Sequence, residues 1–367
     1  MTAAGELHED HGATFDRRAG RRVVSHYGRP ERTHLAVRNG VGVIEMDYGV
    51  VAVGGDDRYE YVDNVITNAV PRTDGEGCYA LVCDPQGTVE TDMYVYDAGD
   101  RLLLLLPPGR AGPLAEDWAS KVFVQDVTVR EVTDGFAVFG VHGPTAPEKI
   151  ATVLGGPAAP DPDDHLSFVR GRMHDAGVTV AVADAPAGEE GYEVICEAAD
   201  AADVFDTLLA RGMGAVPFGR RTWETLTLEA GTPLFASELE GRLPNVCGIR
   251  NAVDFEKGCF VGQEVVSKVE NRGRPSARLV GLRPEAVPEA GATVRANGDP
   301  VGEVTRAADA PSLGGPAALA AVPFDAAEAD GDLAVEADGG TVPAPRADLP
   351  FVEGSARSAR LPTYATE

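Results

Sequence analysis

Residues 257–264 read Lys257-Gly258-Cys259-Phe260-Val261-Gly262-Gln263-Glu264: a turn glycine, one cysteine, a second glycine and three polar side chains in eight positions. The stretch follows Val253-Asp254-Phe255, which reads as a short strand, and precedes Val265-Val266-Ser267-Lys268-Val269. Two glycines around a cysteine indicate backbone that turns sharply or approaches another segment closely. A cysteine at the start of a following element can sit near backbone N–H groups, which lowers its thiol pKa. The plainer alternative is an inert cysteine that packs as a small hydrophobe beside a structural turn.

Before this stretch the chain mixes helix and strand signals. Residues 1–25 read as a polar lead-in, expected to be helical around Thr14–Arg18. Pro30–Arg38 has proline in its first turn and apolar spacing behind it, a helix start. Val41, Val43, Ile44 and Val50–Val53 make a β-rich stretch, and Tyr59, Val62, Val65 and Ile66 recur at helical spacing within Asp56–Ala69. Cys78–Cys83 and Thr88–Tyr96 flank the turn Asp84-Pro85-Gln86-Gly87, a hairpin. Strands are expected at Leu102–Leu106, Val122–Arg130, Phe136–Val141, Met173–Ala183 and Tyr192–Glu197. Helices are expected at Leu114–Ser120, Lys149–Leu154, Ala199–Arg211 and Thr222–Glu229. The Ala199–Arg211 helix points Val204, Phe205, Leu208 and Leu209 inward. Beyond about Arg278, short β runs are separated by Gly, Pro and Asp, which suggests a small barrel or sandwich. The class is α+β with an appended β domain.

The bulk numbers bound the function. A length of 367 residues allows two or three domains. Fifty-eight acids against 32 bases leave a formal charge of −26, and only four of the bases are lysines. The acids run along the whole chain, the pattern of a surface adapted to high salt, which implies a halophilic, archaeal host. Such a surface argues against general nucleic-acid binding, which needs a basic face. The five cysteines, Cys78, Cys83, Cys196, Cys247 and Cys259, form no C-x-x-C pair, so neither a zinc site nor a disulfide framework is expected. A reducing cytoplasm is the natural setting. The longest apolar run, Leu102–Leu106, is far short of a membrane span. No Ser–His–Asp order and no glycine-rich phosphate loop is present.

From about His26 to Gly354 the chain resembles the glycine-cleavage T-protein (aminomethyltransferase) family and its relatives, the YgfZ-type folate-binding proteins of iron–sulfur maintenance. The T-protein-like phrases are Glu31–Val37, Gly42–Glu45, Gly54-Gly55-Asp56-Asp57, Val62–Val70, Gly188–Glu193 and Leu226–Leu234. The Lys257–Glu264 stretch resembles the YgfZ signature, and Trp223 and Leu243-Pro244-Asn245 fit that branch. The resemblance implies three parts around a central hole that holds tetrahydrofolate. Residues 26–275 would form two interleaved α+β lobes, and 278–354 a C-terminal aminomethyltransferase-type β-barrel domain.

The resemblance also implies roles. A buried carboxylate suits the pterin ring, and Glu189 is the candidate; the anionic glutamyl tail suits Arg221, with Arg220 beside it. Asp92 occupies the place of the T-protein aspartate that assists transfer, to bind the pterin or steer a proton. Three departures stand out: Thr91 replaces the first of two usual aspartates, Pro107-Pro108 replaces an asparagine, and Trp223 and Thr227 replace arginines. These move the expectation toward a YgfZ-like protein that supports iron–sulfur cluster assembly or repair with iron–sulfur proteins as partners. In that role Cys259 is essential, Lys257 lowers its pKa, and Gln263 and Glu264 orient it beside the folate. The alternatives are a tetrahydrofolate-dependent aminomethyl- or methyltransferase with Asp92 as the acid–base residue, or a folate fold recruited as an interaction module. Enzymatic activity is left open, and no resident metal is expected.

Overall fold

The structure is a computed structural model that describes residues 2–272, 274–328 and 332–364. Besides a two-stranded hairpin near the N-terminus, two larger sheets form the first 217 residues, and the chain passes between them more than once. The five-stranded sheet has the order Gly77–Cys83, Val89–Asp97, Arg101–Leu106, Gly49–Gly54, Thr128–Glu131. The six-stranded sheet has the order Phe168–Met173, Ala176–Val182, Gly191–Glu197, Phe136–His142, Gly42–Glu45, Val216–Pro217. Strands Gly42–Glu45 and Gly49–Gly54 belong to different sheets, so Met46-Asp47-Tyr48 is a crossing point between the lobes. A further, seven-stranded curled sheet is built from residues 277–347. The α+β class and the appended β domain therefore follow the sequence pattern.

Each lobe buries both faces of its sheet. In the first lobe Val51, Met93, Val95, Leu102 and Leu104 face outward, under Tyr61 and Val62 of helix Arg58–Asp63 and Leu114 and Trp118 of helix Ala111–Ser120. In the second lobe Val141, Val180 and Val194 pack outward under Ile150, Val204, Phe205 and Leu208. The four inward positions expected of Ala199–Arg211 are all buried in helix Ala201–Ala210, each contributing about 1.5–3 kcal/mol of burial. The inner faces meet in a central core that joins Tyr79, Tyr94 and Leu105 to Ala181 and Ile195.

Local chemistry overturned several expectations. Thr14–Arg18 is a strand, paired with Arg21–His26. Ala19 and Gly20 both have positive φ (45° and 78°), the geometry of a tight hairpin turn that no helix accommodates. Val253-Asp254-Phe255 is no strand: a 3₁₀ turn at Arg250–Ala252 precedes it, and Asp254 Oδ1 accepts from the N–H groups of Glu256 and Lys257 at 2.8 and 3.1 Å. The helix within Asp56–Ala69 is shortened to Arg58–Asp63. Of Val122–Arg130 only the end is a strand, Thr128–Glu131, because Phe123 and Val124 stand 84% and 93% exposed with nothing to cover them.

Candidate functional site

The inner faces leave an open-mouthed cavity at the lobe junction, about 100 Å³ in volume. Its wall includes the crossing segment Met46–Tyr48, Tyr79, Asp92, Tyr94, Pro107, Pro108, Trp223, Phe235 and Arg360. Strand alternation decides who faces it. On Val89–Asp97, Asp92 joins Tyr94 on the cavity side, while Thr91 packs on the far side, opposite Val82 and beside Met93. The replacement of an aspartate at position 91 therefore lies outside the cavity. Pro107 and Pro108 do line it, so the departure there places apolar rings where an amide was expected.

Asp92 is buried, and the Tyr79 hydroxyl donates to its Oδ2 at 2.6 Å. Its Oδ1 has no partner among the described residues. Burial pushes its carboxyl above the usual range, with the Tyr79 hydrogen bond and Arg360 opposing. Arg360 is delivered by the C-terminal tail, which is tied down by Ala359 N–H to Asp184 O (3.0 Å) and Thr363 N–H to Gly248 O (2.8 Å). Its Nε lies 2.9 Å from Asp184 and its Nη2 donates to the Tyr94 hydroxyl at 3.0 Å, while Tyr94 donates to Asp184 at 2.8 Å.

Glu193 lies on strand Gly191–Glu197, its alternation partner Ile195 packing into the central core. It is 1% exposed, and its Oε2 has no partner among the described residues. Burial first, then the Asp184 charge, pushes its carboxyl up to about 8; Arg360 and the Tyr48 hydroxyl hold it back. Three buried carboxylates thus share the field of one guanidinium; burial raises the carboxyls of Asp92 and Glu193, and each keeps one unpartnered oxygen, that of Asp92 on a residue of the cavity wall.

The other expected site residues lie elsewhere. Glu189 is consumed by structure: Arg38 Nη1 donates to it at 3.1 Å and Ser355 N–H at 2.8 Å. The motif Gly188–Glu193 does supply a carboxylate near the cavity, but it is Glu193, four residues on. Arg221 is exposed and lines a separate groove beside strand Asp299–Ala310. Its neighbour Arg220 lines the cavity together with Arg18; Asp47 lies 3.0 Å from Arg18 and 4.0 Å from Arg220. Thr227 accepts from Arg306 of the β domain at 2.8 Å, so a guanidinium reaches that point of the helix from another element.

The Lys257–Glu264 residues are not in the cavity wall. Lys257 Nζ donates to the carbonyls of Asp63, Ile66 and Asn68 at 2.6, 3.1 and 2.9 Å. Gln263 Nε2 donates back to the carbonyls of Lys257 and Gly258 at 3.3 and 3.1 Å. Cys259 is exposed and unpaired, and Glu264 is exposed in the first turn of helix Gln263–Arg272. Lys257 spends its donors on backbone, so it cannot serve the thiol as expected.

The GCVT N-terminal domain pattern matches residues 5–257, and that of the glycine cleavage T-protein C-terminal barrel domain matches 278–353. The chain belongs to the glycine-cleavage T-protein family. An aminomethyltransferase of Saccharopolyspora erythraea is 32% identical over 97% of this chain and 99% of its own. One of Streptomyces avermitilis is 32% identical over 89% and 90%. The glycine cleavage system aminomethyltransferase T of Bartonella henselae shares the fold, with a TM-score of 0.85, 97% and 98% coverage and 23% identity. Between the two branches expected above, these T-protein relatives favour the transferase side over the YgfZ side. Arg360 and Asp184 carried no local signal, since both are set by the return of the tail. Glu193 had one, its even spacing from Gly191 and Ile195 on a strand with one face toward the lobe junction. Among the described residues no cluster of three or more His, Cys, Asp or Glu could hold a metal ion, and no helix is long and apolar enough to cross a membrane.

Proposed function

We propose that this T-protein-family chain is a tetrahydrofolate-dependent aminomethyltransferase whose ligand occupies the cavity between the lobes. The observation that carries this is Asp92: buried, on the cavity wall, with one carboxylate oxygen unpartnered. A buried orphan oxygen costs about 1–3 kcal/mol, a cost that a ligand donor would relieve. Glu193, neutral up to about pH 8, offers both a donor and an acceptor to an amide-like ring edge. Arg18 and Arg220 would hold the anionic glutamyl tail, in competition with Asp47. When bound, tetrahydrofolate supplies the nitrogens that take up the one-carbon unit. Asp92 holds or accepts a proton at Oδ1, Tyr79 fixes the orientation of its carboxylate, and Pro107, Pro108, Trp223 and Phe235 exclude water.

The test is direct. Purified protein with tetrahydrofolate and an aminomethylated lipoyl carrier protein should release ammonia, in an Asp92-dependent way. Tetrahydrofolate binding without any transfer would instead favour the iron–sulfur helper reading. The acidic surface we read as an adaptation to salt. Its unfolding midpoint should then rise as KCl increases from ~0.1 M to the molar range, where surface repulsion is screened.

A further inference from the structure

The motif at 257–264 lies outside the cavity, yet it grips the turn that leads to Asp92. Asp84-Pro85-Gln86-Gly87 reverses the chain between Gly77–Cys83 and Val89–Asp97. Asp84 folds this turn, its Oδ1 accepting from Gln86 and Thr88 N–H at 2.9 Å each and its Oδ2 from the Thr88 hydroxyl at 2.7 Å. Gly87 and Gly262 both have positive φ, 80° and 82°. They meet backbone to backbone: a Cβ on Gly262 would fall 2.6 Å from Asp84 O and 2.7 Å from Gly87 Cα. No side chain fits there. Phe260, two residues earlier, is buried in the central core with Tyr79, Val89 and Tyr94. Residues 241–242 hold the other side, with Val89 N–H donating to Arg242 O and Gly241 N–H to Val89 O at 2.9 Å each.

We infer that the Gly262–Gly87 contact is a positioning device that sets where Asp92 and its partner Tyr79 stand in the cavity, an assignment that rests on the function proposed above. Asp92 is three residues beyond Val89 on a strand whose rise is about 3.3 Å per residue, so a displacement of the turn is carried along the strand to the carboxylate. Misplacement of a reacting group by ~1 Å can cost up to ~100-fold in rate. The contact also accounts for the two glycines of the motif unequally. Gly262 is required by both φ and space, whereas a Cβ on Gly258 would meet nothing within 4 Å and its φ is not positive.

The experiment compares Gly262→Ala, Gly258→Ala and Asp92→Asn in the ammonia-release assay with tetrahydrofolate and aminomethylated carrier, across pH. Gly262→Ala should lower kcat by ~10-fold or more with the tetrahydrofolate KM within about twofold. Its acid limb should move to lower pH, because a displaced Asp92 gains water and its raised pKa relaxes downward. Gly258→Ala should match the parent. A folded Gly262→Ala protein with parental kcat and pH profile overturns the inference, as does an equal loss in Gly258→Ala. Undiminished transfer by Asp92→Asn overturns the functional reading itself. Should Gly262→Ala not fold, by far-UV circular dichroism, Gly87→Ala makes the same comparison. Its Cβ meets Leu243 and Val266 side chains at 3.2 Å and Gly262 O at 3.3 Å, a gentler intrusion.

Discussion

Two regions of this molecule are rich in polar and ionisable side chains, the Lys257–Glu264 stretch and the cavity wall around Asp92 and Arg360, with Glu193 buried near it. In the loop the buried cation is satisfied by backbone: Lys257 ends on three carbonyls and Gln263 on two more. At and near the cavity the carboxylates are left short, with Asp92 Oδ1 on its wall and Glu193 Oε2 buried near it, both unpartnered among the described residues. A polar group whose hydrogen bonds are complete holds a fold together, and one left open in a water-poor pocket is available to a ligand. The contrast sets a stretch whose polar groups are engaged in the fold against a wall with an open acceptor, even though the first carries the more distinctive sequence.

The largest expected effect tests the cavity. Asp92→Asn should lower transfer by ~10²–10⁴-fold, the range for loss of a general acid–base group, without lowering the thermal midpoint, since a neutral amide replaces a buried carboxyl. Retention of more than a tenth of the parental rate would end the contrast on the cavity side. The next concerns the loop. Lys257→Met should cost ~3 kcal/mol in chemical denaturation, because three buried carbonyls lose their donor, while the remaining folded protein keeps its transfer rate within about twofold.

Glu193→Gln sharpens the electrostatic side. The Glu193 carboxyl is raised from 4.5 to about 8 in the fold, so the folded state holds a proton that the unfolded chain releases. Its stabilising contribution is complete below pH 4.5 and is lost as pH rises through 8. The variant should therefore be more stable than the parent above pH 8, by up to ~5 kcal/mol, and show a flatter pH dependence between those limits. A parallel pair of stability–pH curves would show that Glu193 is charged and paired in solution. The smallest effect is expected at Cys259→Ala, within ~0.5 kcal/mol and without change in transfer, as for a surface position. Loss of iron–sulfur enzyme activities in cells that carry only this variant would break the comparison from the loop side and restore the helper reading.

Much of the architecture was legible before any coordinates. Helix Pro30–Arg38, hairpin Cys78–Tyr96, strand Leu102–Leu106 and the apolar face of Ala199–Arg211 follow from period and turn chemistry, which act over a few residues. Asp92 comes from the family resemblance, and the local hairpin places it on a strand. The sequence singles out Glu189 and does not weigh Glu193 of the same short motif; only the strand register and the distant Arg38 and Ser355 show that Glu189 is already engaged. Arg221 and Arg220 differ by 100° of helix rotation, which sequence order does not weigh. At 257–264 the residues alone leave a reactive and an inert cysteine both open and the resemblance favours the reactive one, whereas the structure shows Gly262 in contact with the hairpin turn.

By itself the sequence determined the α+β elements, the appended β domain, the acidic surface and the family, since these depend on local periodicity, composition and a long run of matching residues. Tertiary structure alone decided which polar groups are open. Arg360 reaches Asp184 and Tyr94 across 176 and 266 positions of chain, and Lys257 reaches Asp63 across 194. Whether a charge is satisfied depends on such long-range returns, and burial then decides what an unsatisfied one can do.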